Sequence, residues 1–219
     1  MKKFLSFVLT IATIAAVCYG VYTYIIPVDK PSEFKEDYGT EVTGIKMDVS
    51  LLEIKIKEGK SFTVEYEGSE KLRPDCKYDE SSKSLVITQP EYKPKKSRPS
   101  DNNKLTITFP KDTRLGEFNA SLNMGVIEAG KLSADQLHLA TNMADIDIDK
   151  CDTKDMAIVS NLGDVEIDLE GDIKDFTISA SVSLGNLRVG SENYNSNYVQ
   201  TGTAGTIKIE CNLGNVELK

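Results

Sequence analysis

Apolar and polar residues alternate in short runs along most of this chain, and the runs come in pairs around one recurring phrase. It reads Ser160-Asn161-Leu162-Gly163-Asp164-Val165-Glu166-Ile167. Earlier copies are Leu122-Asn123-Met124-Gly125-Val126-Ile127-Glu128-Ala129 and Thr141-Asn142-Met143-Ala144-Asp145-Ile146-Asp147-Ile148. Later copies are Val182-Ser183-Leu184-Gly185-Asn186-Leu187-Arg188-Val189 and Cys211-Asn212-Leu213-Gly214-Asn215-Val216-Glu217-Leu218. A sixth, Val49-Ser50-Leu51-Leu52-Glu53-Ile54-Lys55-Ile56, has Leu52 in place of the glycine. Spacings between successive glycine positions are 19, 19, 22 and 29 residues, the range of stacked-repeat proteins.

Counted from the glycine, apolar columns fall at the same offsets in every copy. Seven before it stand Phe118, Leu137, Met156, Ile178 and Ile207; five before, Ala120, Leu139, Ile158, Ala180 and Ile209. Immediately before it stand Met124, Met143, Leu162, Leu184 and Leu213. Two after it come Ile127, Ile146, Val165, Leu187 and Val216; four after, Ala129, Ile148, Ile167, Val189 and Leu218. A period of two within each half predicts strands with one apolar face. One copy is then strand, tight Asn-x-Gly turn, strand and loop, and stacking such rungs about 4.8 Å apart closes a core that no single rung can close alone. The fold class expected is all-β, a repeat β-solenoid or β-helix. Asn123, Gly125, Asn142, Asn161, Gly163, Gly185, Asn212 and Gly214 are read as a structural turn ladder: glycine tolerates positive φ, and stacked asparagine amides can pair.

The pattern differs before the repeats. Phe4 to Ile26 carries no charge, and Lys2 and Lys3 precede it. At 1.5 Å per residue, 23 residues reach about 35 Å, enough for a hydrocarbon layer of about 30 Å. Residues 1–26 are therefore expected to be a transmembrane anchor, or an uncleaved signal, with the C-terminal domain extracytoplasmic: a single-pass cell-membrane protein. Residues 27–43 read as a linker, and residues 44–219 as the β-solenoid. Within it, 44–115 form an irregular front section able to cap one end, and 116–219 the regular rungs. In the front section, Phe62, Val64, Tyr66, Leu85, Ile87, Leu105, Ile107 and Phe109 alternate with polar residues. The proline-rich stretch from Pro90 to Asn103 interrupts it as a loop.

Charge narrows the chemistry. The chain carries a formal −8 at pH 7, and such a surface repels nucleic acid. Asp145, Asp147 and Asp149, with Asp164, Glu166 and Asp168 one rung away, form an acidic face. A solvated strand face is the favoured reading over a calcium site or the acid–base pair of a polysaccharide-cleaving enzyme, because no turn ligands accompany them. Lys93, Lys95, Lys96 and Arg98 in the loop could meet an anionic ligand. Cys151 and Cys211 fall in apolar columns, Cys76 lies outside them, and the disulfide state is open. The one histidine, His138, should point outward. No serine or cysteine nucleophile motif, phosphate loop or HExxH is present, so no catalytic residue, metal or cofactor is expected.

Lys104-Leu105-Thr106-Ile107-Thr108-Phe109-Pro110, followed by repeated Asn-x-Gly-x-Val-x-Ile, resembles the bacterial putative-adhesin family of domains of unknown function over about residues 45–219. The resemblance implies a β-solenoid on the cell envelope, often behind a membrane helix, in some members tied to envelope stress, with no catalytic residues to carry over. The function expected is a non-enzymatic, membrane-anchored envelope protein presenting an interaction surface. The alternatives are a regulatory subunit of a membrane sensor and a polysaccharide-active enzyme. Any small-molecule ligand is unknown. A protein partner, or a second copy, is expected at the C-terminal end of the solenoid, where Ile207 to Leu218 would otherwise expose an open edge.

Overall fold

The computed structural model describes residues 2–39, 41–92, 97–100 and 102–219. One α-helix, α1 (Lys2–Gly20), runs into a short π-helix at Val21–Ile25. The strands follow: β1 (Pro31–Asp37), β2 (Gly44–Gly59), β3 (Thr63–Ser69), β4 (Asp75–Asp79), β5 (Ser84–Thr88), β6 (Lys104–Pro110) and β7 (Leu115–Ala129). Then come β8 (Leu132–Leu162), β9 (Val165–Leu169), β10 (Thr177–Leu184), β11 (Leu187–Val189), β12 (Glu192–Tyr194), β13 (Asn197–Gln200), β14 (Thr206–Leu213) and β15 (Val216–Leu218).

The rungs stack in parallel and in register, because their apolar columns coincide only that way. Strands β2, β7 and β8 bend at the corner position, Leu52, Gly125 and Ala144 respectively, and so contribute to two half-sheets. The half before the corner runs β4, β5, β2, β7, the two passes of β8, β14, β10 and β13. The half after it runs β1, β3, β6, β2, β7, β8, β9, β15, β11 and β12. Between them lies one continuous core. Ile45, Phe118, Leu137, Met156, Ile207 and Ile178 form one of its columns, each at most 2% exposed. Cys151 and Cys211 are buried in it, all four cysteines are free thiols, and burial pushes the Cys151 thiol up to about 12.

Spatial order departs from chain order at both ends. In front, β5 and β6 form an outer rung beyond β2, so the chain passes β2, goes outward, then returns to lay down β7. At the other end β14 lies between β8 and β10, and β15 lies between β9 and β11. The expectation that Ile207–Leu218 is the open end of the solenoid is thus corrected: that rung is interior. The outermost rung is β10 with β11, covered by the antiparallel pairings of β13 and β12. The front end carries β4 on one half-sheet and β3 with β1 on the other. Antiparallel strands finish both ends, so the parallel core rungs keep partners on both edges. The stretch 27–43, read as a linker, supplies β1 and belongs to this front cap.

The outer front rung has no Asn-x-Gly corner, because its first half ends with β5 at Thr88 and its second begins with β6 at Lys104. Gln89 fills the gap. Its Oε1 accepts the backbone N–H groups of Ser50 and Leu51 at 2.8 and 2.7 Å. Its Nε2 donates to the carbonyls of Leu51 and Leu72 at 3.3 and 2.5 Å. Gln89→Leu should therefore strand two buried donors and lower stability by about 2–4 kcal/mol, as measured by urea unfolding. A loss under about 0.5 kcal/mol would show that water takes over these bonds.

A transmembrane anchor is not borne out. No helix among the described residues is long and apolar enough to cross a membrane. Regular α-helix ends at Gly20 after 19 residues, about 28 Å, and Lys2 and Lys3 lie within it. The single-pass membrane localisation read from Phe4–Ile26 is corrected accordingly: the uncharged stretch counted residues that leave the α-helix for the π turn and the extended chain at Ile26.

Candidate interaction surface

Each rung turns its corner at the repeated phrase, and the corner is built from three parallel columns. The first is asparagine. Asn142 Nδ2 donates to Asn123 Oδ1 at 2.9 Å, Asn161 Nδ2 to Asn142 Oδ1 at 3.3 Å, and Asn212 Nδ2 to Asn161 Oδ1 at 2.8 Å. Carboxamides stack this way because each carries both a donor and an acceptor. A second amide and carboxylate column stands just after the glycine. Asp145 Oδ1 accepts the Asp164 N–H at 2.8 Å, Asp164 Oδ1 accepts that of Asn215 at 2.7 Å, and Asn215 Oδ1 accepts that of Asn186 at 3.2 Å. Asp145 and Asp164, read from the sequence as part of an acidic face, are thus corner residues, each bonded to the next rung.

Between the two ladders runs an apolar column that the sequence assigned to the core. The structure turns it outward. Leu51, Met124, Met143, Leu162, Leu213 and Leu184 stack in that spatial order. Met143 is 45% exposed, Leu162 and Leu213 47%, and Leu184 68%. The corner explains the reversal. Four corners turn on a glycine with φ near +140 to +150° at Gly125, Gly163, Gly185 and Gly214, and the corner at Ala144 turns Met143 outward as well. The core at this level is filled by the preceding column, Val49, Leu122, Thr141, Ser160, Cys211 and Val182, all at most 5% exposed.

Beyond the corner, the outer face of the second half-sheet is charged. One column runs Lys55, Glu128, Asp147, Glu166, Glu217 and Arg188. Lys55 pairs with Glu128 at 3.0 Å, Arg188 with Glu217 at 2.9 Å, and Lys219 reaches Glu166 and Glu217 at 2.5 and 3.2 Å. Among the described residues, no group of His, Cys, Asp and Glu is placed to hold a metal ion. Asp147 sits in the middle, and its carboxyl is held above the usual range, first by partial burial and then by Asp149, Glu166, Glu128 and Asp168. A carboxyl held high binds its proton more readily folded than unfolded, so its charge costs stability at neutral pH. That cost fades as pH falls below the ordinary carboxylate range. Asp147→Asn should raise the melting temperature at about pH 7 and leave it unchanged near about pH 3. Destabilisation at neutral pH would show a cation held there.

Of the basic loop, Lys93, Lys95 and Lys96 lie outside the described residues. Arg98 is described: its guanidinium lies 5.6 Å from the Tyr22 ring centre. It lines a cavity of about 330 Å³ with Asp29, Lys71, Glu91 and Tyr92. Asp29 there has a side chain 8% exposed and accepts the Lys71 N–H at 3.0 Å. Carboxylates thus share the space with Arg98. His138 is exposed on the outer face of the first half-sheet.

With this architecture in place, residues 42–219 match the family Toastrack DUF4097. The chain belongs to that family. Among solved structures, this Toastrack chain is similar to one described as "a putative cell adhesion protein" from Clostridium sporogenes ATCC 15579. The two are 20% identical with a TM-score of 0.66, over 87% of this chain and 99% of that one. It also matches "a putative adhesin" from Parabacteroides merdae ATCC 43184 at 11% identity and TM-score 0.44, over 87% of this chain and 82% of that one. No curated protein matches it. The structural likeness supports the Toastrack fold, and the family is the one that the repeated Asn-x-Gly-x-Val-x-Ile phrases resembled.

Two features of this Toastrack surface were missed in the sequence. The Asx column at Asp145, Asp164, Asn215 and Asn186 was visible as four Asp or Asn residues at one offset from the glycine. The outward leucine column was concealed, because an apolar residue next to a turn glycine looks the same whether it faces in or out.

Proposed function

We propose that this chain is a non-catalytic repeat protein of adhesion type whose Asn-x-Gly corner is a docking ridge for an uncharged protein surface. The observation that carries the reading is the exposed column Met143, Leu162, Leu213 and Leu184. Met143, Leu162 and Leu213 are held between two hydrogen-bonded ladders, and Leu184 stands beside one. Apolar side chains aligned on a stiff ridge are a costly arrangement in water, at about 25 cal/mol per Å² of apolar surface, and contiguous patches of this kind mark interaction sites. The description of the Clostridium sporogenes neighbour as a cell adhesion protein agrees with that use. Bonded side chains on both flanks keep the ridge from rearranging, so binding would lose little conformational entropy.

The test compares the intact chain with a Leu162→Ser/Leu213→Ser variant, both fluorescently labelled, on immobilised bacterial cells and matrix proteins. Saturable binding that the variant loses, with its melting temperature unchanged, supports the ridge. Binding to nothing in the panel, or equal binding by both proteins, overturns it.

A further inference from the structure

Two columns run along the middle of the outer face of the first half-sheet, beside an outer one that carries Asp79, Glu117 and Asp155. In stack order one holds Lys77, Val86, Lys46, Asn119, His138, Ala157, Lys208, Ser179 and Val199. The other, two residues further along each strand, holds Asp75, Thr88, Asp48, Ser121, Ala140, Val159, Glu210, Ser181 and Asn197. Three features set this face apart. Within these two columns three lysines stand against three carboxylates. Asn119, Ser121, Ala140, Ala157, Ser179 and Ser181 are small, so the relief of the face is low between the longer His138, Lys208 and Glu210. It leaves Val159 and Val199 46% and 77% exposed.

The sign of the charge is sorted by column. Within this pair of columns, every lysine stands in the first and every carboxylate in the second. A two-fold axis laid along the stack, between the two columns, exchanges them. The lysine column of one copy then lies over the carboxylate column of the other, rung for rung: Lys208 on Glu210, Lys46 on Asp48, Lys77 on Asp75. The rung spacing matches along the whole contact because both surfaces are the same surface, as an isologous interface requires. We propose that this face is a homodimer interface, a second copy of the chain packing sheet to sheet across it. Facing sheets pack about 10 Å apart, and small side chains suit that distance. Nine strands at about 4.8 Å, each about 17 Å wide, give a footprint of about 650 Å² per copy, close to the roughly 800 Å² of a standard interface and consistent with a reversible dimer. These columns are separate from the leucine ridge, so dimerisation leaves the ridge available.

Sedimentation velocity of the full chain over a concentration series tests this, with circular dichroism confirming that each variant folds. Lys208→Glu and Glu210→Lys singly should each weaken the dimer at least about tenfold, since either places like charge on like charge twice across the axis. The double variant Lys208→Glu/Glu210→Lys should restore it. Ala140→Arg, a bulky group at the centre of an exposed face, should abolish it. A strict monomer overturns the proposal. Association untouched by these variants runs through another surface, α1 included, and also overturns it. Singles that lose the dimer without rescue by the double would refute the two-fold pairing.

Discussion

Gly163→Ala should lower the unfolding free energy by about 2–4 kcal/mol, a large loss for one added methyl group. Gly163 adopts φ +141°, and a Cβ built on it would lie 2.1 Å from the Ala144 carbonyl oxygen and 2.6 Å from its carbon. Both atoms are backbone and cannot rotate away, so the rungs must part. Parting them stretches the bond from the Gly163 N–H to the Leu213 carbonyl, 3.0 Å on the other side. Strain of about 1–3 kcal/mol for the forced backbone and about 1 kcal/mol for the weakened bond give the total. The control is the same column one rung away. Ala144→Gly removes a methyl group and should cost only about 1 kcal/mol, mostly in chain entropy. Denaturant titration of both variants measures the contrast. Equal losses would show that the corner yields more easily than its packing implies.

Val165→Asp should cost at least about 4 kcal/mol and Glu166→Val no more than about 1 kcal/mol. Val165 is 1% exposed and lies between Ile146 and Val216, each also 1% exposed. A carboxylate there finds no cation and no water. Glu166 points the other way, with its side chain 51% exposed and paired with Lys219 at 2.5 Å. Exposed pairs contribute little because water already solvates both partners. Thermal melts of the two variants decide the matter, and comparable losses would mean that the faces of this strand are reversed.

The repeat was legible because a stacked fold enforces the same constraint at every rung. Phe118, Leu137, Met156, Ile178 and Ile207 must all face one core, and no neighbour can excuse one of them. Where a position was governed by something other than that core, the pattern misled. Met143 sits beside Ala144 and Leu162 beside Gly163 at the corner of the rung, and backbone geometry rather than hydrophobicity sets their direction. Asp145 and Asp164 carry charge, yet their work is to accept a backbone N–H from the next rung. Rung order was invisible for another reason. Residues 155–162 and 177–184 bear the same columns, so the pattern allows 206–213 to stack on either, and only the full pairing shows that it takes both. The uncharged run at Phe4–Ile26 misled by length: it counted residues beyond Gly20, where the α-helix ends.

The interposed rung has a consequence for how the protein is made. A ribosome delivers residues 177–189, which form the outermost rung, before residues 206–218, which form the rung beneath it. When the outer rung emerges, its permanent neighbour does not yet exist. The growing chain can add rungs in sequence only as far as β9, after which its freshest edge stays raw. That end closes only when the later segment slides between two surfaces, pairing on both sides at once. Assembly from this side is thus a single late event rather than a progression, and a nascent chain halted before residue 206 would hold an apolar strand with nowhere of its own to go.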